Sequence, residues 1–468
     1  MLKKLPSSFT ILFLFIVFVA GLSWVVPAGQ YDTILNTHLA RPAEVPIPKT
    51  YHLVEGHKQN LVDIFMAPIG GFYDPLTGQA RAIGITLFII FVGGFFGVVN
   101  ATGAINIGIK HAMHKLRGHQ VWIIPILMLL FALGGSLHGM AEETLPFYVI
   151  LIPIMRAAGY DTITSLAIIL IGSGMGNIGS TINPFSTIIA SNAGNIPLTQ
   201  GLGLRALILT MGVVCCVTYT VVYAIRIRRD PEKSLVYELE PQHKAAFLGE
   251  TSGAHAYLSF KDWLILGNFM LTFAVMIWGV ASKGWWMEQM SSLVLFQSIT
   301  TALIYRMKEQ EFIDNFLSGA KDLLGVALIV GLANGIVVVM NNAHLTHTFL
   351  HWAELALKDM PKLVFLYAIF AIEGILSIFV PSSSGLAILT MPIMVPLANF
   401  ANVPGDLVVT AYQAANGLIN LINPVCAVTA GSLIIAKVPF STWVRFVWPL
   451  AAILSCVVLV CLFLGLNF

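Results

Sequence analysis

The chain has 468 residues, of which 57% are hydrophobic and only 10% are charged, and its formal net charge is +2. Soluble domains carry about a quarter charged residues, so this composition excludes an ordinary soluble domain, and the small net charge argues against a nucleic-acid partner. Apolar runs of about 20 residues recur along the chain, and each is long enough to cross a bilayer. We therefore predict an all-α polytopic membrane protein in contact with lipid.

The first apolar run, Phe9–Val26, follows a short basic lead. It is long for the apolar core of a signal peptide, so we interpret it as a first span rather than as a cleaved leader. Two longer segments, Thr162–Asn195 and Leu407–Val438, are polar and rich in glycine, and each is predicted to be a broken span. The remaining spans are predicted at Ile83–Ala101, Arg205–Ile227, Trp263–Val280, Trp286–Tyr305, Leu323–Met340 and Trp443 to about Leu466.

Basic residues in short loops predict the orientation, because cytoplasmic loops carry an excess of lysine and arginine. They place the N-terminus and the "RIRRDPEK" loop in the cytoplasm. That placement requires residues 120–158 to enter and leave the membrane on the cytoplasmic side as a re-entrant hairpin, preceded by an interfacial helix at Lys110–His119. The same logic makes residues 361–403 a second hairpin, which enters from outside. The prediction is about nine transmembrane helices plus two re-entrant hairpins.

Two halves of the chain share a pattern. "GMAEETLP" begins at Gly139 and "GLAILTMP" at Gly385, and "INP" occurs at both 182–184 and 422–424. Each half has the order span, interfacial helix, hairpin, broken span, span. Five crossings separate equivalent spans, so the halves have opposite topology. Inverted repeats with broken helices are typical of secondary transporters.

The predicted organisation has five parts. They are a first span and extracytoplasmic connection (1–82), repeat one (83–227, with hairpin 120–158 and broken helix 162–195), a cytoplasmic linker (228–262), two connecting spans (263–305), and repeat two (321–468, with hairpin 361–403 and broken helix 407–438).

The hairpin tips (134–144 and 380–390) and the breaks in the long segments (172–184 and 414–424) supply irregular backbone. Such backbone persists inside a membrane only where protein or water covers it, so we expect the four stretches to meet at one site. Their small polar residues alternatively serve helix packing. The predicted substrate-binding residues are Ser136, His138, Glu142, Glu143, Thr144, Asn177, Ser180, Thr181, Asn183, Ser382, Ser383, Ser384, Gly385, Asn416, Asn420 and Asn423.

Half-helix ends expose carbonyl oxygens that can hold a cation, and cation sites are predicted at Asn183, Asn423 and Thr429. No resident cofactor is expected, and the coupling ion is sodium or a proton.

Glu142 and Glu143 are the most informative pair. An ionised carboxylate at membrane depth costs several kcal/mol unless it is paired or wet, so these acids either line a water-filled cavity or lie in solvent near the interface. In a cavity they can pair with a cationic substrate, coordinate a cation or carry a proton. Neither tip and neither break contains lysine or arginine, which favours an amine-bearing substrate.

Other candidates have weaker support. Glu373 is a candidate second coupling carboxylate, although a local hydrogen bond explains it equally well. His344, His347 and His351 are interpreted as interfacial histidines rather than as a metal site. An intramembrane enzyme with Glu142 and His138 as an acid–base pair is the remaining alternative, but neither a metal motif nor a nucleophile elbow accompanies them, so we predict no enzyme activity.

The stretches "WVVPAGQYD", "GMAEETLPFY", "STINPF" and "PSSSGLAILTMPIMVPLA" resemble the YfcC-like branch of the anaerobic dicarboxylate-carrier-like proteins, in the ion transporter superfamily. This resemblance implies an elevator-type transporter, in which a transport domain with paired hairpins moves against a scaffold domain that includes Ile83–Ala101 and Leu323–Met340, usually in a homodimer. It implies basic amino acid exchange in some members and dicarboxylate transport in others. The Ser-Asn-Thr tip signature of the sodium/dicarboxylate symporters is absent here, so their sodium sites do not carry over.

The leading prediction is a secondary active transporter of amino acids, including basic ones exchanged in the arginine/ornithine manner, in the bacterial inner membrane. The alternative is a sodium- or proton-coupled symporter of di- or monocarboxylates.

Overall fold

The computed structural model describes residues 8–36, 43–74, 81–105, 107–108, 120–247, 259–283, 285–357 and 360–467. The interfacial helix expected at Lys110–His119 lies outside these ranges. The α-helices of the described residues are α1 (Ser8–Leu22), α2 (Leu61–Phe72), α3 (Ile83–Ala101), α4 (Ile123–His138), α5 (Leu145–Ala157), α6 (Thr162–Leu166), α7 (Gly172–Ile178), α8 (Thr187–Ala193), α9 (Leu202–Arg229), α10 (Glu240–Phe247), α11 (Phe260–Lys283), α12 (Met287–Tyr305), α13 (Glu309–Asn342), α14 (Leu345–Leu357), α15 (Lys362–Phe379), α16 (Ser383–Phe400), α17 (Gly405–Asn420), α18 (Ala427–Ile435) and α19 (Phe440–Asn467).

Short 3-10 turns and strands complete the described elements. The 3-10 turns lie at Gln120–Trp122, Glu142–Thr144, Pro231–Lys233 and Tyr237–Leu239, and a π-helical turn, Ala167–Ile171, joins α6 to α7. Strand β1 (Gly29–Gln30) pairs antiparallel with β4 (His52–Leu53), and β2 (Thr33–Asn36) pairs antiparallel with β3 (Ala43–Pro46).

Seven helical stretches of the described chain are long and apolar enough to cross a membrane: Gln120–His138, α3, α9, α13, α15, α16 and α19. This is the pattern of a multi-pass membrane protein. The span predicted at Leu323–Met340 is the inner part of a longer helix, α13, and the one predicted at Phe9–Val26 ends at Leu22. The spans predicted at Trp263–Val280 and Trp286–Tyr305 lie in the helices α11 and α12.

Helices α3 and α13 cross in close contact because glycines face each other. A Cβ atom on Gly319 of α13 would collide with the carbonyl oxygen of Gly93 and would lie 2.7 Å from the Cα of Gly97. Small residues four apart on one helix let two membrane helices approach this closely. Helices α1 and α2 also pack on α13, so α1, α2, α3 and α13 form one packed group, which we call the α13 group.

The hairpins and broken segments form the other part of the fold. The first arm of each hairpin packs on the first half of the broken segment that follows it, α4 on α7 and α15 on α17, and α7 also packs against α17. The two halves of the chain therefore use the same helix pairing and meet at their broken segments. Helix α18 and, less extensively, α5 connect this part to the α13 group.

The breaks are shorter than the sequence suggested. Residues 179–186 and 421–426 are irregular, whereas the glycines at 172, 174 and 176 lie inside α7. A Cβ atom on Gly176 would collide with the carbonyl oxygen of Ala132, and one on Gly174 would lie 2.5 Å from Leu421 Cδ2. These glycines are therefore required for close helix packing rather than for unwinding.

The linker after α9 is docked on both halves of the chain. Arg156 at the end of α5 donates two hydrogen bonds to the Glu240 carboxylate, at 2.7 and 2.6 Å, and this pairing holds the pKa of Glu240 below its ordinary value. His243 lies 3.1 Å from the Thr162 hydroxyl and 3.2 Å from the Lys437 carbonyl oxygen. Because a carbonyl oxygen only accepts, Nε2 of a neutral His243 carries the proton and Nδ1 accepts from Thr162.

Candidate functional site

The first hairpin turns at Gly139, which has φ 69°, in the left-handed region that favours glycine. A Cβ atom there would also collide with Asn183 Oδ1. After the turn, the Thr144 hydroxyl donates to the Ala141 carbonyl oxygen (2.6 Å), and Glu143 Oε2 accepts from the Ala141 backbone N–H (3.0 Å). The Glu143 side chain is thus buried against the tip that carries it.

Asn183 joins this tip to the first break. Its Nδ2 donates to the Gly135 carbonyl oxygen at 3.3 Å and to Asn177 Oδ1 at 3.0 Å. Its Oδ1 accepts from the backbone N–H of Phe185 at 2.8 Å. The hydroxyls of Ser136 and Thr181 lie 3.1 Å apart nearby, so the "INP" turn is held to the end of α4.

The second tip begins where α15 ends. Ser382 caps α16 by accepting from the Gly385 N–H at 3.2 Å. The Ser383 hydroxyl donates to Asn416 Oδ1 at 2.7 Å, and Tyr412 donates its hydroxyl proton to the Ser383 carbonyl oxygen. Asn420 Nδ2 donates to the Pro381 carbonyl oxygen at 2.9 Å, so α17 fixes the position of this tip.

The second break is held in the same way as the first. Asn423 Nδ2 donates to the Ser377 carbonyl oxygen at 3.1 Å, and its Oδ1 accepts from the Val425 N–H at 3.0 Å. The Thr429 hydroxyl donates to the Asn420 carbonyl oxygen at 2.5 Å across the break.

A cavity of about 270 Å³ lies where both tips and both breaks meet. Its walls also include Ile85 of α3, Trp286 just before α12, and part of α13. Nine of the predicted binding residues line it: Glu142, Glu143, Asn177, Asn183, Ser382, Ser383, Ser384, Asn416 and Asn420. Of the residues predicted to hold a cation, Asn183 and Thr429 line the cavity.

The other predicted residues lie outside the cavity lining, namely Ser136, His138, Thr144, Ser180, Thr181, Gly385 and Asn423. Ser136, Thr181 and Asn423 instead make the hydrogen bonds that hold the breaks. The Ser180 hydroxyl lies 2.5 Å from that of Thr187. Ser136, Thr181 and Asn423 therefore support the cavity wall from outside the lining.

The charged side chains in the described lining of the cavity are all acidic. Its lining includes Glu142 and Glu143 and, within the described residues, contains no lysine, arginine or histidine. The lining also includes the N-terminal residues of α16 and α18, and helix N-termini present partial positive charge. The cavity therefore offers both carboxylates and the N-terminal dipoles of two helices.

The sequence did not predict several residues that line the cavity or link the two halves of the chain. Asn334 of α13 lines the cavity, as do the aromatic side chains of Phe185 and Trp286. Gln413 links the halves, because it accepts from the Thr187 hydroxyl (2.8 Å) and donates to the Ser180 carbonyl oxygen (2.8 Å). A polar residue within an otherwise apolar helix was the available signal for Asn334.

The histidines of α14 lie elsewhere. The Tyr31 N–H donates to His347 Nδ1 at 3.1 Å, and the Tyr31 hydroxyl donates to Glu354 at 2.7 Å. His351 stacks on Tyr51 with ring centres 3.9 Å apart. These contacts fasten the strand-bearing segment after α1 to α14.

Comparison with known families gives one match over nearly the whole chain. The family model described as "DcuC: C4-dicarboxylate anaerobic carrier" matches residues 5–467. An uncharacterized protein of Haemophilus influenzae is 33% identical over 97% of this chain and 95% of its own length. A protein of Escherichia coli K12 with the name "Putative basic amino acid antiporter YfcC" is 28% identical over 94% of this chain and 92% of its own.

Two solved structures are also similar. One is MtrF of Neisseria gonorrhoeae, with a TM-score of 0.41 and 14% identity over 98% of this chain and 94% of that one. The other is the YdaH transporter of Alcanivorax borkumensis, with a TM-score of 0.41 and 14% identity over 99% of both chains.

Proposed function

Because this chain belongs to the DcuC family of C4-dicarboxylate anaerobic carriers, a family of secondary transporters, we propose that it transports an amino acid, with basic amino acids the favoured class. The observation that carries this proposal is the pair Glu142 and Glu143 in a cavity whose described lining has no cationic side chain. A dianion placed there would meet two acids without a compensating base.

An amino acid fits this combination of acidic side chains and helix N-termini. Its ammonium group, or a guanidinium group on its side chain, pairs with Glu142 or Glu143, because a buried charge needs an opposite charge or a hydrogen-bond partner. Its carboxylate lies at the N-termini of α16 and α18, where backbone N–H groups and the helix dipole favour an anion. The serines at 382–384 supply further donors.

The proposed transport cycle is alternating access of the elevator type. The α13 group supplies scaffold helices α3 and α13, and the hairpins with the broken segments form the moving part. We further propose a homodimer in the bacterial inner membrane with a cytoplasmic N-terminus, and exchange or coupling to sodium or a proton.

Counterflow in proteoliposomes tests the substrate class. Vesicles loaded with unlabelled arginine should accumulate labelled arginine, and vesicles loaded with succinate should not accumulate labelled succinate. Glu143→Gln should lower arginine counterflow at least tenfold, whereas Glu311→Gln, at an exposed position of α13, should leave it unchanged. If the Glu143→Gln variant showed arginine counterflow at the wild-type rate, Glu143 would have no role in substrate recognition.

The second candidate function is a sodium- or proton-coupled carrier of di- or monocarboxylates. The family description favours it, since it names C4-dicarboxylates. The same vesicles distinguish the two functions. Succinate counterflow that is stimulated by an inward sodium or proton gradient, together with an absence of arginine counterflow, would favour the second function over the first.

A further inference from the structure

Glu373 lies on α15, the first arm of the second hairpin, and is 0% exposed. Neither of its carboxyl oxygens has a hydrogen-bond partner among the described residues. Thr390 of α16 faces it, but the Thr390 hydroxyl donates to the Leu386 carbonyl oxygen at 3.0 Å. This carboxyl group is thus packed in the protein without compensation for a negative charge.

An ionised carboxylate in such a place is far less stable than the neutral acid, because nothing replaces the water it has lost. Tyr412 of α17 is the titratable side chain that faces Glu373, and its hydroxyl proton goes to the Ser383 carbonyl oxygen. In the described residues, α14, α16 and α19 present no charged group to Glu373. These surroundings therefore favour the neutral acid over the carboxylate at Glu373 in this conformation.

The backbone of Glu373 is linked to the cavity through two side chains. The Ser377 hydroxyl donates to the Glu373 backbone carbonyl oxygen at 2.7 Å and accepts from Asn416 Nδ2 at 3.1 Å. Asn416 Oδ1 accepts from Ser383 at 2.7 Å. Asn416 and Ser383 line the cavity, so the turn of α15 that carries Glu373 is tied to the wall that holds the second tip.

The two halves differ at this point. The first arm of the first hairpin, α4, contains no acidic residue. The first half instead carries its acids at the tip, where the second half has Ile388 and Leu389 at the matching positions of "GLAILTMP". The two hairpins thus differ in where they carry carboxyl groups. The first has them at its tip, in the cavity lining, and the second has one on its first arm, outside the lining.

We propose that Glu373 is the proton-binding site that couples transport to a proton gradient, a role separate from substrate recognition by Glu142 and Glu143. The proposal rests on the proposed transport function. The Glu373 carboxylate takes one proton from water on one side, forming an O–H bond, and is buried as the neutral acid. When the second hairpin moves and water reaches it, the O–H bond breaks and the proton passes to water on the other side.

Infrared difference spectroscopy of the purified wild-type protein tests the protonated acid without any substrate. A carboxylic-acid C=O band that titrates with pH should be present in the wild type, absent in Glu373→Gln and retained in Glu354→Gln. Thr390→Val should shift its frequency, because that hydroxyl faces the carboxyl group. Persistence of the whole band in Glu373→Gln, or its absence from the wild type, would overturn the proposal.

Transport assays test the coupling. In Glu373→Gln, uptake of arginine driven by an imposed proton gradient should fall at least tenfold, while arginine counterflow stays within twofold of the wild type. Gradient-driven uptake that survives in this variant, or counterflow lost with it in a folded protein, overturns a coupling role. If wild-type vesicles move neither arginine nor succinate, the proposed function fails, and the infrared measurement still decides the protonation of Glu373.

Discussion

Asn183 and Asn423 make the same pair of contacts in the two halves of the chain. Each side-chain amide donates to a backbone carbonyl near the end of the preceding hairpin arm, Gly135 for Asn183 and Ser377 for Asn423. Each amide oxygen accepts from the N–H two residues further on. The repeated "INP" sequence therefore has one local structural role, which is to attach a break to its hairpin.

Replacing either asparagine by alanine should destabilise the protein by a similar amount. Both side chains are buried, and loss of one partner of a buried hydrogen bond costs about 1–3 kcal/mol. Thermal unfolding in detergent should show a lower midpoint for Asn183→Ala and for Asn423→Ala. Asn342→Ala, at an exposed position at the end of α13, is the control, and an equal loss in all three variants would contradict the proposed attachment.

The contact of α3 with α13 predicts a strong difference between two glycines of the same helix. Gly319→Ala should lower the unfolding midpoint and the yield of folded protein, since its methyl group would meet the backbone of Gly93 and Gly97. Gly325→Ala should be neutral or slightly stabilising, because no atom lies within 4 Å of the added Cβ and alanine favours helix. Equal tolerance of both changes would show that α3 and α13 are not in close contact.

The sequence revealed some parts of the candidate site and not others. The tips and breaks were found because charged and polar residues stand out in apolar surroundings, as Glu142 does. The glycines of α7 were misjudged, since glycine serves unwinding and close packing equally well and only the position of Ala132 distinguishes the two. Asn334 lies far in sequence from the hairpin tips and the breaks, so its place in the cavity depends on tertiary packing.

The predicted orientation places the linker in the cytoplasm, and labelling can check it. Ser234 is a poor reporter, because its hydroxyl donates to Asp161 at 2.7 Å, whereas Glu232 is exposed. In a variant without native cysteines, Glu232→Cys should react with a membrane-impermeant maleimide in inside-out vesicles and stay unlabelled in intact spheroplasts. A cysteine at exposed Glu55 should show the reverse, and labelling of Glu232→Cys from outside would invert the topology.

Docking of the linker through His243 predicts a dependence on pH. Burial lowers the pKa of His243 below its ordinary value of 6.5, so the unfolded chain binds this proton more readily than the folded one. The stability that neutral His243 supports is therefore full above about pH 6.5 and is lost as the pH falls below it.

The thermal unfolding midpoint of the wild type should thus decrease when the pH is lowered from 7.5 to 5.5. This range covers about one pH unit on each side of the ordinary histidine pKa. In His243→Gln the fall should be smaller, because glutamine can donate to the Lys437 carbonyl oxygen but takes up no proton. His52→Gln, at an exposed position, should behave as the wild type does. If the unfolding midpoint of His243→Gln depended on pH as strongly as that of the wild type, groups other than His243 would cause the dependence.

The π-helical turn at Ala167–Ile171 has a consequence for the residues after it. Such a turn takes in one residue more than an α-helical turn, so α7 is rotated by about 100° from the direction that uninterrupted winding would give it. That offset aims Ser173 and Asn177 into the cavity. Regular winding in place of this single turn would direct both side chains away from the cavity and would also turn Gly174 and Gly176 away from the neighbours they contact, so one added residue determines both the lining and the packing of α7.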